Sequence, residues 1–275
     1  MVIRVAYPGG AAAHSAAAAE RLFPGERELV SLETFSDVVD AAASGSIAYG
    51  VLPIEYSLVG PVAETHDLLY DAQLSIVAET SIPIRHHLVA RAPLAESEIR
   101  VIRSHPVALE QCRRLLGRLN GVRAIAASTT ADAAAQVAES DAPGEAAIAS
   151  ERAAAIYGLQ VIEHDVGDHP EAFTRFVSIA THTRIDHERD EWRTAFSFVT
   201  DHRSGALHGA IEPFARHGLD LVQLVSRPIP QSPWKYRFDA VLAGHPLEPT
   251  TRGAFAEVRV RVRELRVLGS YPAGT

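Results

Sequence analysis

The segment Asp165-Val-Gly-Asp-His-Pro-Glu-Ala-Phe-Thr-Arg-Phe-Val-Ser-Ile-Ala180 joins a polar loop to an apolar run, and the rest of the chain is arranged around that junction. Residues 165–172, with a glycine and a proline among them, read as a loop. Phe176-Val-Ser-Ile-Ala180 is aromatic and β-branched between turn signals, which predicts a buried strand. Thr174 and Arg175 are thereby delivered at the mouth of a strand, where open α/β sheets place their ligands. The planar guanidinium of Arg175 suits bidentate capture of a carboxylate, and the Thr174 hydroxyl can donate one hydrogen bond to a leaving oxygen. Taken alone, the same pair reads as strand-entry residues in a surface ion pair. The functional reading draws its weight from other segments.

Working outward, 275 residues suggest two or three folding units, and 47% hydrophobic residues supply real cores. A net charge of −8, with Lys235 the only lysine and no basic cluster beside aromatics, argues against a nucleic-acid partner. No apolar run approaches the roughly 20 residues of a membrane span. Met1-Val-Ile-Arg-Val-Ala6 enters a strand directly, with no basic leader or cleavage signal, so a soluble cytoplasmic protein is expected. Cys112 is the only cysteine, which excludes an internal disulfide.

Before the junction the chain alternates strands and helices. A strand over 2–7 stops at Pro8-Gly9-Gly10, and an alanine-rich helix follows over about 12–23; the unpaired N–H groups at such a helix start make an anion site. The glycine spacing is not that of a dinucleotide fingerprint. A helix over 35–44 leads to a strand over 47–52 and then to Glu55 and Ser57, with Glu55 expected to face a cleft. A helix over 62–70 and a strand over 74–78 precede the run 82–90, which marks a crossing into a second lobe. There, Ser104-His105-Pro106 opens a helix reaching Leu119 that contains Gln111 and Cys112. Ser128 and Thr129 precede a helix over 131–139, and Ser150 precedes one over 151–157. Each of these hydroxyls reads as ordinary capping; together with Arg175 they describe a cleft between two α/β lobes suited to a small polyanion. His164, Asp165, Asp168 and His169 lack regular ligand spacing, so no metal or other cofactor is expected.

After the junction, the charged stretch 184–191 reads as a linker. Strand 194–200, helix 206–217, strand 219–226 and strand 236–243 follow. Residues 255–265 fit two periods, since Val258-Arg-Val-Arg-Val-Arg263 alternates while Phe255, Val258, Val262 and Leu265 share a helix face. A helix there, followed by a strand over 266–271, gives βαββαβ, a ferredoxin-like module.

The residues Val5-Ala-Tyr-Pro-Gly9, Gly50-Val-Leu-Pro-Ile-Glu-Tyr-Ser57, Ser104-His-Pro106, Tyr157-Gly-Leu159 and Thr174-Arg-Phe176 resemble those of prephenate dehydratases. So do Gly205-Ala-Leu207, Ser226-Arg-Pro228, Pro233-Trp234 and Leu268-Gly-Ser-Tyr-Pro272, which belong to that family's ACT regulatory domain. The resemblance covers nearly the full length. It implies a two-lobed, periplasmic-binding-protein-like catalytic domain over 1–183, with lobe one at about 1–78 and 164–183 and lobe two at 79–163. An ACT domain is implied over 192–275.

The activity implied is decarboxylating dehydration of prephenate to phenylpyruvate, under feedback by phenylalanine, in a homodimer or homotetramer. Thr174, Glu55 and Gln111 are then the catalytic residues. Arg175, Phe176, Ser57, Ser104, His105, Ser128, Thr129 and Gly9 bind substrate. Gly205, Ala206, Leu207, Ser226, Arg227 and Pro228 form the effector pocket.

The chain departs from the family pattern at Tyr56 and Ala172, where Asn is usual, and at Val107, where Gln is usual. His14 stands where an aromatic is common, and Val225 where Glu is. The two lost asparagines, at Tyr56 and Ala172, make non-aromatising decarboxylation of prephenate the second reading. A third, from another class, is a non-catalytic small-anion-binding protein.

Overall fold

The computed structural model describes residues 2–119, 121–183, 191–230 and 232–274. The first lobe runs β1 (Ile3–Pro8), α1 (His14–Leu22), β2 (Arg27–Leu32), α2 (Phe35–Ala43), β3 (Tyr49–Tyr56), β4 (Gly60–Pro61), α3 (Ala63–Asp71) and β5 (Ser75–Pro83). The second runs β6 (His87–Ala90), β7 (Val101–Ser104), α4 (Pro106–Glu110), α5 (Arg113–Arg118), β8 (Arg123–Ala126), α6 (Thr130–Glu139), β9 (Glu145–Ala149), α7 (Glu151–Tyr157) and β10 (Gln160–Glu163). The chain then returns through β11 (Phe173–Ala180), which inserts antiparallel between β3 and β5. The first sheet has the order β2-β1-β3-β11-β5, with β4 paired to β3, and the second β10-β6-β9-β7-β8.

Local chemistry sets these elements. Thr34 and Asp37 form a reciprocal capping box that starts α2. The buried Val38, Val39 and Ala42 turn that helix onto the sheet, each larger side chain contributing about 1.5–3 kcal/mol by burial. Gly50 lets the layers close, because a Cβ there would stand 2.7 Å from Val38 and 3.0 Å from Ile179. Thr129 and Ser150 accept hydrogen bonds from the N–H groups of Asp132 and Ala153, starting α6 and α7.

Four features differ from the sequence expectations. β2 is a strand that periodicity did not pick out: Arg27, Glu28 and Ser31 interrupt an apolar run that is only partly buried, because β2 is an edge strand paired solely through β1. β8 escaped for the same reason. β5 stays paired with β11 as far as Pro83, so the crossing between lobes comes after Pro83. The helix expected from Pro106 to Leu119 breaks at Gln111 and Cys112, where the Asp168 carboxylate accepts the N–H groups of Arg113 (2.9 Å) and Arg114 (3.2 Å) and starts α5.

The C-terminal unit is β12 (Trp192–Val199), α8 (Ala206–Arg216), β13 (Asp220–Pro228), β14 (Tyr236–Ala243), α9 (Pro249–Arg259) and β15 (Glu264–Pro272). Its antiparallel sheet has the order β13-β14-β12-β15, the ferredoxin-like arrangement. The ambiguous 255–265 resolves as the end of α9, with Ala254 and Val258 in the core, then a turn and the start of β15. The expected linker at 184–191 lies outside the described residues except for Glu191. β15 packs on β5 so closely that a Cβ on Gly269 would stand 2.2 Å from the Ile76 carbonyl oxygen. Arg237, 2% exposed, bridges Asp239 and Asp67 of α3 and lies 4.2 Å over the Tyr70 ring. Asp239 in turn meets His66 of α3 at 3.1 Å.

Candidate active site

β3 and β11 run antiparallel, with Tyr56 beside Thr174 and Glu55 beside Arg175. Successive strand residues face opposite sides of a sheet. Thr174, Phe176 and Tyr56 accordingly line a cleft of about 430 Å³ between the two lobes. Glu55 and Arg175 do not. They form an ion pair at 3.2 Å on the other face, where Arg175 borders the contact with the C-terminal unit beside Glu79 and Tyr271. Glu55, expected as catalytic, and Arg175, expected to bind substrate, thus lie off the cleft lining, paired with each other as in the strand-entry reading.

Ser104 is also displaced from its expected role. It is fully buried and donates to the Ile148 carbonyl at 2.6 Å, tying β7 to β9. Gly9, His105, Gln111, Ser57, Ser128 and Thr129 all border the cleft. Gly9 takes φ +84°, and its carbonyl accepts the Ser31 hydroxyl. Ser57 accepts the Phe173 N–H at 2.9 Å and so fixes the entry to β11. Ser128 donates to Asp132 at 2.6 Å, and His105 Nδ1 accepts the Val107 N–H.

No arginine or lysine lines the cleft among the described residues. The first turns of α1 and α6 both border it, through His14 and Ser15 on one lobe and Thr130 and Ala131 on the other. First-turn N–H groups lack intrahelical partners and carry the positive end of the helix dipole. Burial holds the imidazoles of His14, His86 and His105 below the ordinary range, His14 down to about 4 with help from neighbouring His86 and Arg152. All three are neutral donors or acceptors at neutral pH. Tyr56, Val107 and Ala172 all line the cleft where carboxamides are usual, and with Leu58, Val59 and Phe173 they make its wall apolar. Burial and the Glu64 carboxylate raise the Tyr56 phenol, which stays protonated.

Sequence reasoning missed His86, Ser15, Glu33 and Ile84 on the cleft. His86 was within the crossing run but carried no spacing signal, and Glu33 precedes a helix that was recognised. Among the described residues no cluster of three His, Cys, Asp or Glu is placed to hold a metal ion; Asp165 pairs with Arg85 and Asp168 caps α5. No helix among them is long and apolar enough to cross a membrane. In the C-terminal unit, Gly205 takes φ +78° at the start of α8, where Ala206 is buried and Leu207 packs against the core. Ser226 and Pro228 are exposed on β13, and the Arg227 guanidinium reaches Asp67 of α3 at 2.6 and 3.2 Å.

A family model for prephenate dehydratase matches residues 5–184. An arogenate dehydratase/prephenate dehydratase of Arabidopsis thaliana chloroplasts is 34% identical over 282 aligned positions, which span 99% of this chain and 74% of the relative. The solved prephenate dehydratase of Arthrobacter aurescens in complex with L-Phe superposes with a TM-score of 0.90 at 29% identity, covering 98% of this chain and 90% of that one. A quorum quenching acylase of a novel type superposes with a TM-score of 0.86, also at 29% identity, covering 98% and 97%. That one fold carries both names makes the sequence evidence decisive, and by its matched domain and full-length identity this chain belongs to the prephenate dehydratase family.

Proposed function

We propose that the chain is a lyase that converts prephenate to phenylpyruvate, with Thr174 as its central catalytic residue. Prephenate is a dicarboxylate bearing a doubly allylic hydroxyl. The bond to the ring carboxylate breaks and its electron pair enters the ring. The bond to the hydroxyl breaks with its pair leaving on oxygen, and a proton from solvent completes water. Carbon dioxide departs and the ring becomes aromatic, which supplies the driving force. The protein has to orient the two carboxylates and favour the departing oxygen. The helix starts of α1 and α6 suit the carboxylates, one on each lobe. Thr174, on the cleft wall, is the proposed donor to the oxygen as it leaves; a threonine hydroxyl is too weak an acid to transfer its proton first.

The observation that carries this reading is the alternation along β11, which turns the Thr174 and Phe176 side chains into the cleft and leaves Arg175 outside it. The test is product identity: purified protein and prephenate should yield phenylpyruvate, read by its enolate absorbance in alkali. The apolar Tyr56, Val107 and Ala172 favour the second reading, in which the ring survives. A cyclohexadienol product would establish that reading, and prephenate bound but unchanged would make the chain a sensor.

The units assigned are a catalytic domain over 1–183 and an ACT domain over 192–275, the latter binding phenylalanine as a feedback effector. Residues 199, 227–228 and 236–237 meet at one end of the C-terminal sheet by register, and the loop that carries Gly205 into α8 leaves from that end; the effector pocket would form there between two paired subunits. Edge strand β13 exposes Val222 and Leu224, which suits pairing with a second copy in a homodimer or homotetramer.

A further inference from the structure

The cleft contains one polar pair that the scheme above leaves unused. Gln111 lies between α4 and α5 and is held at its backbone on both sides: its N–H donates to the Val107 carbonyl at 2.9 Å, and its carbonyl accepts the Asp168 N–H at 2.7 Å. Its side-chain Oε1 is 2.9 Å from Nε2 of His86. His86 is 5% exposed and reaches the cleft from the crossing between β5 and β6.

A carboxamide can turn either end toward an imidazole, and what decides between them is the far side of the ring. Nδ1 of His86 is buried with no hydrogen-bond partner among the described residues. If the Gln111 amide group donated to Nε2, the proton of neutral His86 would sit on Nδ1, leaving a buried N–H donor without an acceptor. With the proton on Nε2, the ring donates to Oε1, and the orphaned Nδ1 is only a bare lone pair. Buried N–H groups without an acceptor are rarer in folded proteins than under-satisfied acceptors, which favours the second arrangement. Burial also keeps the ring neutral, so Nδ1 is not forced to carry a second proton.

We propose that His86 is a positioning residue: it anchors Oε1 of Gln111 and thereby presents the Gln111 amide N–H groups, not the carbonyl, to the anionic substrate. In a cleft lined by no arginine or lysine among the described residues these two donors matter, and the reversed carboxamide would put a partial negative charge against a carboxylate. The proposal rests on the prephenate reading for its kinetic consequence, but its geometric content stands apart from it.

Two measurements test it. In ¹⁵N-resolved imidazole spectra of the full chain, His86 should carry its proton on Nε2, and the Nε2 resonance should move in Gln111→Ala. A proton on Nδ1, or no response to Gln111→Ala, overturns the proposal whether or not prephenate turns over. In prephenate kinetics, His86→Phe should lower kcat/KM about three- to tenfold, the scale of one neutral hydrogen bond. His86→Gln, whose amide N–H reaches the Nε2 position, should recover most of that loss. The double variant His86→Phe with Gln111→Ala should be no worse than Gln111→Ala alone, since the two residues act as one unit. Multiplying losses in the double variant, or wild-type kinetics in Gln111→Ala, overturns the proposal; wild-type protein that leaves prephenate unchanged instead overturns the dehydratase reading.

Discussion

Thr174 and Arg175 are neighbours in sequence and sit on opposite faces of β11. Their variants should therefore fail differently. On the proposed reading, Thr174→Ala should lower kcat for prephenate by on the order of 10²-fold with little change in KM, since the hydrogen bond proposed for it would strengthen only as the hydroxyl leaves. Arg175→Lys should leave both constants within about twofold, because its partner is Glu55 and not the substrate. A large KM increase in Arg175→Lys would put the guanidinium back in the cleft. His14 gives a second test, through stability. Its imidazole is held down to about 4 against an ordinary 6.5, so between those values the unfolded chain binds a proton that the folded chain refuses. Stability is thus complete above pH 6.5 and falls as the pH drops toward 4, by roughly 3 kcal/mol for this group. His86 and His105 push in the same direction. Urea midpoints at pH 7.5 and pH 5 should show the loss, and His14→Phe should flatten it; equal slopes in both proteins would remove His14 from the account.

At the scale of elements, strands and helices were legible wherever one period dominated. The helices with Thr34, Thr129 and Ser150 at their starts, and the β11 core run, were readable because capping and burial speak locally. Arg27–Leu32 was not, because an edge strand buries too little to impose alternation. The break at Gln111 was not either, since its cause is Asp168, a capping group 54 residues away from Arg114. The candidate site shows the same limit. The Thr-Arg-Phe motif located the cleft wall, but which of its side chains enters the cleft depends on the pairing of Arg175 with Glu55, a fact of register. Ser104 was read from its position as a helix cap and by resemblance as a ligand; it is instead buried against the Ile148 carbonyl, and His105 caps α4. Gly269 belongs to this scale too. Its hydrogen atom faces the Ile76 backbone, where nothing can give way as a side chain would. Gly269→Ala should push β15 off β5 and cost roughly 1–3 kcal/mol, read as a lower urea midpoint. An unchanged midpoint would mean the two units are held together elsewhere.

At the scale of the whole molecule, the question is how the C-terminal unit reaches a cleft that it does not touch. Asp67 joins them. It accepts Arg227 through both carboxylate oxygens and Arg237 through one, and these arginines hold its carboxyl below the ordinary range, against the opposing effect of burial. Asp67 sits on α3, which is also gripped through His66 by Asp239 and through Tyr70 by Glu264. Immediately before α3, the Val62 N–H is fixed to the Ile54 carbonyl, and Ser57, Leu58 and Val59 of the preceding turn line the cleft. With phenylalanine as the proposed effector at the Gly205–Arg227 end of the sheet, a carboxylate held there would compete with Asp67 for Arg227. Releasing or tightening that bond would act on α3 and, through the turn before it, on one wall of the cleft. By linkage, phenylalanine must then favour the state that binds prephenate less well. Asp67→Asn keeps the shape of the side chain, removes its charge, and leaves Arg237 its bonds to Asp239 and the His66 carbonyl. Basal kcat should stay within about twofold of wild type, since Asp67 does not line the cleft. The phenylalanine concentration for half-inhibition should shift by about fivefold or more, the scale of a coupling of 1 kcal/mol. An inhibition curve that superposes on wild type would show that the signal bypasses α3.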